Sequence, residues 1–261
     1  MPKQSDTLGD LISDIANRKR RAAQARFGRG PVGGDKPQDV YLAGCAAVGE
    51  AFAADGYRFA PSGPHFSRRL GDLVFKVSFQ SSFNNVAGEY VAMWIHAYIY
   101  SPAIKKWGAQ HQMPVPSDFV AGGQIGNLLE HPSWMKWNLA NPANRQTEIG
   151  NAIKTVRDVA LPFFSAFEDT SAVIERLRRG NIPSMGLLAA FGFAACFGSI
   201  SIAREIAIAF LMRRPDLRDQ YLEKFRTFEL QGLPDDLRGY AEVLGALSVR
   251  FQLGDLSGSA T

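Results

Sequence analysis

The sequence contains little cysteine and no long hydrophobic run. Its 261 residues include two cysteines, Cys45 and Cys196, and both lie in apolar helical contexts where a free thiol behaves as a small hydrophobic side chain. Two cysteines do not make a disulfide framework, which favours a reducing compartment and a cytoplasmic location. No apolar stretch reaches the roughly 18 residues that a membrane span requires, and the charged N-terminus lacks a secretory signal. We therefore expect no membrane association.

Sequence motifs that are diagnostic of a particular reaction are also missing. The four histidines lie far apart in the sequence, at His65, His96, His111 and His131, whereas metal ligands usually include a pair at short spacing. The glycine-rich segment at residues 28–37 follows no strand and has neither the GxGxxG nor the GK[ST] spacing of a phosphate-binding loop. No serine or cysteine lies in a nucleophile-elbow motif. We therefore expect neither a metal nor a cofactor, and whether the chain is an enzyme stays open.

The strongest pattern that is present is a pair of long alternating segments between residues 73 and 100. Apolar residues at every second position predict two strands joined at a polar tip. The second strand is apolar or aromatic on both faces, with Ile95 and Ile99 on one and Trp94, His96 and Tyr98 on the other. Such a strand is predicted to be central in its sheet, with a covering layer on each side.

These strands and their neighbours predict an α+β fold. An antiparallel sheet of about four to five strands is expected over residues 57–129, because a hairpin precedes the long strands and the segment FVAGGQIGNLL returns after them. A helical half is expected over residues 147–252, where helical periodicity with proline breaks replaces alternation. The two halves are expected to share one core. The chain thus divides into a basic N-terminal helix and linker (1–36), a sheet region (37–145), a helical region (146–252) and a tail (253–261).

Positive charge is concentrated in the first 36 residues. The chain has 29 basic and 25 acidic residues, which gives a net charge of +4. Residues 1–36 hold eight of the basic and four of the acidic residues, so the remainder has 21 of each and is neutral. We expect this arm to contact nucleic-acid phosphates; the alternative is a solvated helix end whose cations offset the helix dipole. The predicted phosphate contacts are Arg18, Lys19, Arg20, Arg21 and Arg26.

The polar tip between the two long strands is the leading candidate for a functional site. Amide side chains match base edges, and an aromatic ring offers a stacking surface. Glu89 is the one carboxylate near the tip, and we expect it to activate a water as the catalytic residue. The alternative is a simple turn, because Asn-Asn followed by glycine is common hairpin chemistry. The predicted substrate-binding residues are Gln80, Phe83, Asn84 and Asn85.

One segment resembles a known family. A helix ending in DGYRF is followed by HFSRR, VSFQSS and a second long strand. This order is similar to a bacterial domain family of unknown function that has a GF/GY…F-x-R…Q-x-S progression. The resemblance covers about residues 40–180 and leaves out the basic arm. It implies an α+β fold and no established activity.

The arm and the tip together predict a nucleic-acid-associated protein, with DNA as the expected partner and bacterial antiviral defence as the expected setting. The reaction that requires the fewest functional groups absent from this sequence is cofactor-free removal or hydrolysis at a flipped nucleotide. It needs a carboxylate, amide groups and stacking rings. The alternative is a non-enzymatic interaction or immunity-type module that binds a protein partner. Its interface anchors would be Trp94, Tyr98, Trp134 and Trp137.

Overall fold

The computed structural model describes most of the chain apart from its two ends. The described residues are 36–113, 115–180, 182, 184–234 and 236–257. The predicted phosphate contacts between Arg18 and Arg26 therefore lie outside the described residues, as do the last four residues of the predicted tail.

The fold is α+β, as predicted, with an open antiparallel sheet in the N-terminal half followed mostly by helices. The strands are β1 (Arg58–Ala60), β2 (His65–Leu70), β3 (Leu73–Ser81), β4 (Ala92–Tyr100), β5 (Phe119–Gln124) and β6 (Trp137–Asn138). The helices are α1 (Pro37–Glu50), α2 (Pro102–Gln110), α3 (Pro142–Thr155), α4 (Leu161–Ser165), α5 (Thr170–Arg178), α6 (Leu187–Phe197), α7 (Ile200–Met212), α8 (Pro215–Gln231) and α9 (Gly239–Arg250). A 3₁₀-helix (Ile125–Leu128) follows β5, and a π-helical turn (Val156–Ala160) joins α3 to α4. Within the described ranges, no helix is both long and apolar enough to cross a membrane.

The sheet is built around the long hairpin of β3 and β4. Its order is β1-β2-β3-β4-β5, with antiparallel neighbours throughout, and β6 pairs with the start of β4. The hairpin pairs from Val74 opposite Tyr100 to Ser81 opposite Met93. Strand β4 therefore has partners on both sides, which confirms its predicted central position.

One face of the sheet packs against helices. Alternate residues of β3 and β4, including Phe75 and Ile95, are fully buried on this face. The ring of Phe75 lies 5.3 Å from that of Phe164 in α4, and Cys45 Sγ in α1 lies 4.0 Å from Met93 Sδ. A slip of one residue would turn these apolar side chains towards water, so the hydrophobic effect fixes the register of the hairpin.

The helical half is joined to the same core. Buried residues of the sheet and the helices form one connected hydrophobic cluster that extends from Val40 to Leu256. Ahead of α6, the carbonyl oxygen of Ser184 accepts a 3.2 Å hydrogen bond from the amide of Gly122 in β5. Gly122 has a φ of +131°, and a Cβ there would lie 2.1 Å from the carbonyl oxygen of Ala97 in β4. A residue with a side chain at position 122 would therefore push β5 away from β4.

The helical region begins earlier than predicted. Helix α3 starts at Pro142 rather than near residue 147, because Asn141 caps it and accepts a 3.0 Å hydrogen bond from the amide of Ala143. Proline suits the first helical position, since it lacks an N–H group that would otherwise have no partner within the helix. The loop before α3 also contains the two-residue strand β6, which the sequence pattern does not predict.

The second face of β4 also differs from the prediction. The alternation predicts a covering layer on both faces, but Trp94, His96, Tyr98 and Tyr100 are only half-buried, whereas the residues between them are buried. Each of these four side chains combines an apolar ring with a polar atom, so it tolerates contact with water better than an aliphatic side chain does. Among the residues that the structure describes, the helices cover one face of the sheet and leave this one accessible.

Candidate functional site

The accessible face of the sheet, called the open face below, is assembled by cross-strand register. Directly opposite residues of an antiparallel sheet share a face. Arg58, Ser67, Lys76 and Tyr98 are opposite one another in turn and form one row across β1, β2, β3 and β4. The open face therefore consists of the residues of β1 to β4 whose side chains lie on the same side of the sheet as Tyr98. Phe119, at the start of β5 and opposite Tyr100, also belongs to it.

A stripe of aromatic rings runs along the middle of the open face. Strand β4 contributes Trp94, His96, Tyr98 and Tyr100, and residues two apart on one face of a strand are roughly 7 Å apart. The rings of His96 and Tyr98 stack at 5.7 Å with planes 11° apart. Tyr98 and Tyr100 are 5.9 Å apart, and Phe119 meets both of them edge-on at 6.2 and 6.1 Å. The result is an aromatic surface that follows the strand.

A chain of hydrogen bonds fixes the centre of this stripe. His96 Nε2 lies 3.0 Å from Gln80 Oε1, and His96 Nδ1 lies 3.1 Å from the hydroxyl of Tyr98. A neutral imidazole that donates from Nε2 to Gln80 and accepts at Nδ1 from Tyr98 satisfies both contacts. Burial lowers the pKa of His96 and raises the pKa of Tyr98, because it disfavours the charged form of each group. Both rings are therefore uncharged at neutral pH.

The strands contribute only basic charged side chains to the open face, and one carboxylate, that of Asp118 just before β5, lies close enough to Tyr100 to act on it electrostatically. Lys76 is half-buried beside Tyr98, and Arg58 and Arg69 are exposed nearer the β1 edge. The six strands contain no aspartate or glutamate. Arg68, next to Arg69 in sequence, points to the other face, where it lies over the ring of Tyr57 and forms an ion pair with Glu168. The open face is thus basic and aromatic.

The predicted tip residues have different roles in the structure. Gln80 lies on the open face and belongs to the hydrogen-bonded chain. Asn85 closes the tip instead: its Nδ2 donates to Ser81 Oγ and its Oδ1 accepts from the amide of Ala92, both at 2.9 Å. Since both ends of the Asn85 amide are occupied, this side chain supports the turn, which is what the alternative interpretation of the tip expects.

The other three predicted tip residues lie on the outside of the turn. Phe83 is 71% exposed, and Asn84 and Glu89 are also exposed. The backbone oxygen of Glu89 accepts from Asn138 Nδ2 at 3.2 Å, but its carboxylate has no hydrogen-bond or ion-pair partner among the described residues. In the described structure, no hydrogen bond joins this carboxylate to Gln80, Asn84 or Asn85. A catalytic role for Glu89 stays a prediction.

Several residues of the open face were not among the predicted site residues. Lys76, His96 and Tyr100 lie in the middle of the two long strands, where alternation indicates packing rather than a site. The available signal was the high content of His, Tyr and Trp on one side of β4, since these rings retain a polar atom and suit a surface that is only partly covered. In the described part of the chain, no three His, Cys, Asp or Glu side chains come together as metal ligands.

Comparison with known proteins gives one match, to a family model. No curated protein and no solved structure matches the chain. A family model does match, over residues 48–166, a range that contains all six strands and therefore the whole open face, but not α5 to α9. The predicted resemblance to a domain family of unknown function is confirmed: residues 48–166 match the family described as Domain of unknown function (DUF4304).

Proposed function

We propose that this protein binds single-stranded nucleic acid on the open face, with bases stacked on the rings of β4. The observation that carries the proposal is the coincidence, on one accessible sheet face, of an aromatic stripe and basic side chains from strands that contain no acidic residue. Proteins that bind single strands combine stacking rings with cations that follow the backbone. Lys76, Arg58 and Arg69 lie where they would meet the phosphates, and the basic arm at residues 1–36 adds further cations.

The exposed ring faces of the aromatic stripe favour a single strand over an intact duplex. A base offers its ring face to Tyr98 or Tyr100 only when it is unstacked from its neighbours. The rings recur every second residue, at roughly 7 Å, so successive side chains are spaced to meet successive bases of an extended strand. DNA, the expected partner, and RNA share this chemistry, and the oligonucleotides in the test distinguish them.

Binding rather than catalysis is the proposed role of the open face. Its central groups, His96 and Tyr98, are uncharged at neutral pH and hydrogen-bonded to each other, which suits stacking rather than proton transfer. Removal or hydrolysis of a nucleotide at Glu89 is a separate proposal, as is a role in antiviral defence. Phage plating on cells that carry wild-type protein or the Tyr98→Ala variant tests the defence role, since loss of protection in the variant would link it to the open face.

The direct test is fluorescence anisotropy with labelled twelve-nucleotide oligothymidylate, oligouridylate and a matched duplex. We expect the single strands to bind more tightly than the duplex. Loss of one stacking ring costs about 1–3 kcal/mol, so Tyr98→Ala should weaken binding by about 5- to 150-fold. Lys76→Ala should weaken binding and reduce its dependence on salt.

Two matched controls lie outside the open face. Phe83→Ala removes an exposed ring at the tip, and Lys105→Ala removes an exposed cation in α2. Both variants should bind as the wild type does. Equal affinity for duplex and single strand, or an equal loss in Phe83→Ala and Tyr98→Ala, would contradict the proposal.

A protein partner is the second candidate, and one observation favours it. Trp134 is 63% exposed, and an exposed tryptophan is a common anchor of protein interfaces. A protein interface anchored there would depend on Trp134 and change little with Lys76→Ala or with salt. Pull-down of a partner that survives high salt and is lost in Trp134→Ala, without any oligonucleotide binding, would favour this candidate.

A further inference from the structure

Two tryptophans meet at the end of the open face where β4 begins. Trp94 is in β4 opposite Gln80, and Trp134 is in the loop between the 3₁₀-helix and β6. Their ring centroids are 6.1 Å apart with planes 65° apart, so the edge of one ring meets the face of the other. Trp94 is half-buried, whereas 63% of Trp134 is exposed.

The backbone that carries Trp134 is anchored on both sides. The buried Gln124 side chain donates from Nε2 to the carbonyl oxygen of Met135 and accepts at Oε1 from the amide of Gly126, both at 2.7 Å. The amide of Ser133 donates to the carbonyl oxygen of Gly126 at 3.1 Å. Position 126 requires glycine, because a Cβ would lie 1.8 Å from the Ser133 oxygen. These hydrogen bonds therefore hold the backbone of Trp134 in place. The indole ring of Trp134 is largely exposed to water and lies against the ring of Trp94.

Trp94 has a polar group without a partner. Its Nε1 is buried and makes no hydrogen bond within the described part of the chain. A buried indole N–H normally has an acceptor, and leaving it without one costs free energy. Rotation of Trp134 away from Trp94 would open space beside the Trp94 ring. Trp94 thus has one exposed ring against it and one hydrogen-bond donor that no described residue uses.

We propose that Trp94 and Trp134 form a clamp that takes one base of the bound strand between their rings. This proposal rests on the proposed single-strand binding and names the two rings that hold one base. The Trp94 N–H points outwards in the plane of its own ring, so it would donate to an oxygen of the neighbouring nucleotide rather than to the base stacked on that ring. Lys136, two residues after Trp134, lies over the ring of Tyr90 with its Nζ 5.3 Å from the ring centre and supplies a cation beside the clamp.

The clamp differs from the rest of the stripe in having rings on two sides. Tyr98 and Tyr100 offer a base one ring face each, whereas a base between Trp94 and Trp134 would stack on both of its faces. Trp134 moves for this only about its side-chain bonds, since Gln124 fixes the loop. A strand that crosses the open face would therefore have one preferred position, with one base held at the start of β4.

The test is anisotropy with eight-nucleotide oligothymidylate and oligodeoxyadenylate on full-length protein. Trp134→Ala should weaken oligothymidylate binding by about 5- to 150-fold, the effect of one stacking ring, and Trp134→Phe should recover most of the loss. Trp94→Phe keeps a ring but removes the N–H, so it should weaken binding of both oligonucleotides by less than Trp94→Ala does. Phe83→Ala is the matched control for an exposed ring outside the clamp.

A double substitution separates the clamp from two independent contacts. If one base contacts both rings, the Trp94→Ala/Trp134→Ala variant should bind only slightly more weakly than the weaker single variant. Additive losses would overturn the clamp. If wild-type protein binds oligothymidylate and Tyr98→Ala weakens it while Trp134→Ala does not, the clamp is wrong and single-strand binding stands. If wild-type protein binds neither oligonucleotide, both proposals are wrong.

Discussion

At the scale of single residues, His96 shows how partial burial gives the open face its neutral, hydrogen-bonded centre. The imidazole is enclosed enough for burial to lower its pKa from the ordinary value of 6.5, yet it keeps contacts on both nitrogens, to Gln80 and to Tyr98. A fully exposed histidine would carry a fractional charge near neutral pH and would bind water on both nitrogens. The position of His96 therefore favours a flat, uncharged ring that a base can stack on.

The lowered pKa of His96 also predicts a pH dependence of stability. The unfolded chain, with a histidine pKa near 6.5, takes up a proton before the folded chain does, so this contribution to stability is present above pH 6.5 and declines as the pH falls towards the lowered pKa. We expect the free energy of unfolding to decrease from about pH 7.5 to about pH 5.5, and His96→Gln to show a smaller decrease. Urea denaturation at both pH values measures this, with His131→Gln at an exposed position as the control. An unchanged pH dependence in His96→Gln would contradict the assignment.

Glu89 gives the second prediction at this scale. Its carboxylate is exposed and has no partner in the described structure, so Glu89→Gln should leave the melting temperature and oligonucleotide affinity unchanged. If the chain removes a base or cleaves a nucleotide with this residue as the general base, the same substitution should abolish turnover. Chromatography of released base or nucleotide measures it, with Glu50→Gln as a control at another exposed position. Full turnover in Glu89→Gln would exclude Glu89 as the catalytic residue.

At the scale of elements, the sequence predicts the hairpin of β3 and β4 well because two-residue alternation has one physical meaning there. Phe75 and Val77 have to be buried, and burying them fixes which residues face the other way. The second face of β4 is different, because tyrosine, tryptophan and histidine fit a covered face and a half-exposed one equally well. No neighbour in sequence decides between the two; the placement of the helices decides it.

The tip between these strands shows the opposite difficulty. Asn84, Asn85 and Gly88 suit both a recognition loop and a turn, and the pattern alone does not choose between them. The structure places Asn85 in hydrogen bonds at both ends of its amide and Gly88 at a φ of +75°, which is turn geometry. The start of α3 at Pro142 can be predicted from the sequence, since Asn141 followed by proline is a capping signal.

The central position of β4 predicts a large loss of stability when its buried face is truncated. Ile95 is 0% exposed, so Ile95→Ala removes buried methylene groups and leaves a cavity, at a cost of roughly 2–5 kcal/mol. Tyr98→Ala on the open face of the same strand should cost less, because Tyr98 is only half-buried. Chemical denaturation of both variants measures the difference. A loss well under about 1 kcal/mol for Ile95→Ala would mean that β4 is peripheral, contrary to the structure.

At the scale of the whole molecule, charge is distributed unevenly in two ways. The first 36 residues hold the entire net charge, and the neutral remainder still has one face whose strands contain no acid. The sequence of the arm and the strands of the open face both have excess positive charge, so each would attract an anionic strand. In the proposed binding, the arm would supply electrostatic attraction independent of sequence, while the rings would select unstacked bases.

This division predicts which variant changes the response to salt. A full-length variant with glutamine at the five predicted phosphate contacts should bind long oligothymidylate more weakly at low salt and with a flatter salt dependence. On a single strand, each phosphate contact contributes about 0.7 to the slope of log affinity against log salt concentration. If each of the five cations contacts one phosphate, the magnitude of that slope should therefore fall by about 3.5. Tyr98→Ala should instead weaken binding by a similar factor at every salt concentration, since stacking releases no counterions. Anisotropy titrations at four salt concentrations measure both slopes, with Lys105→Gln and Lys106→Gln in α2 as the charge control. An unchanged slope in the five-glutamine variant would place the phosphate contacts on the open face alone, at Arg58, Arg69 and Lys76.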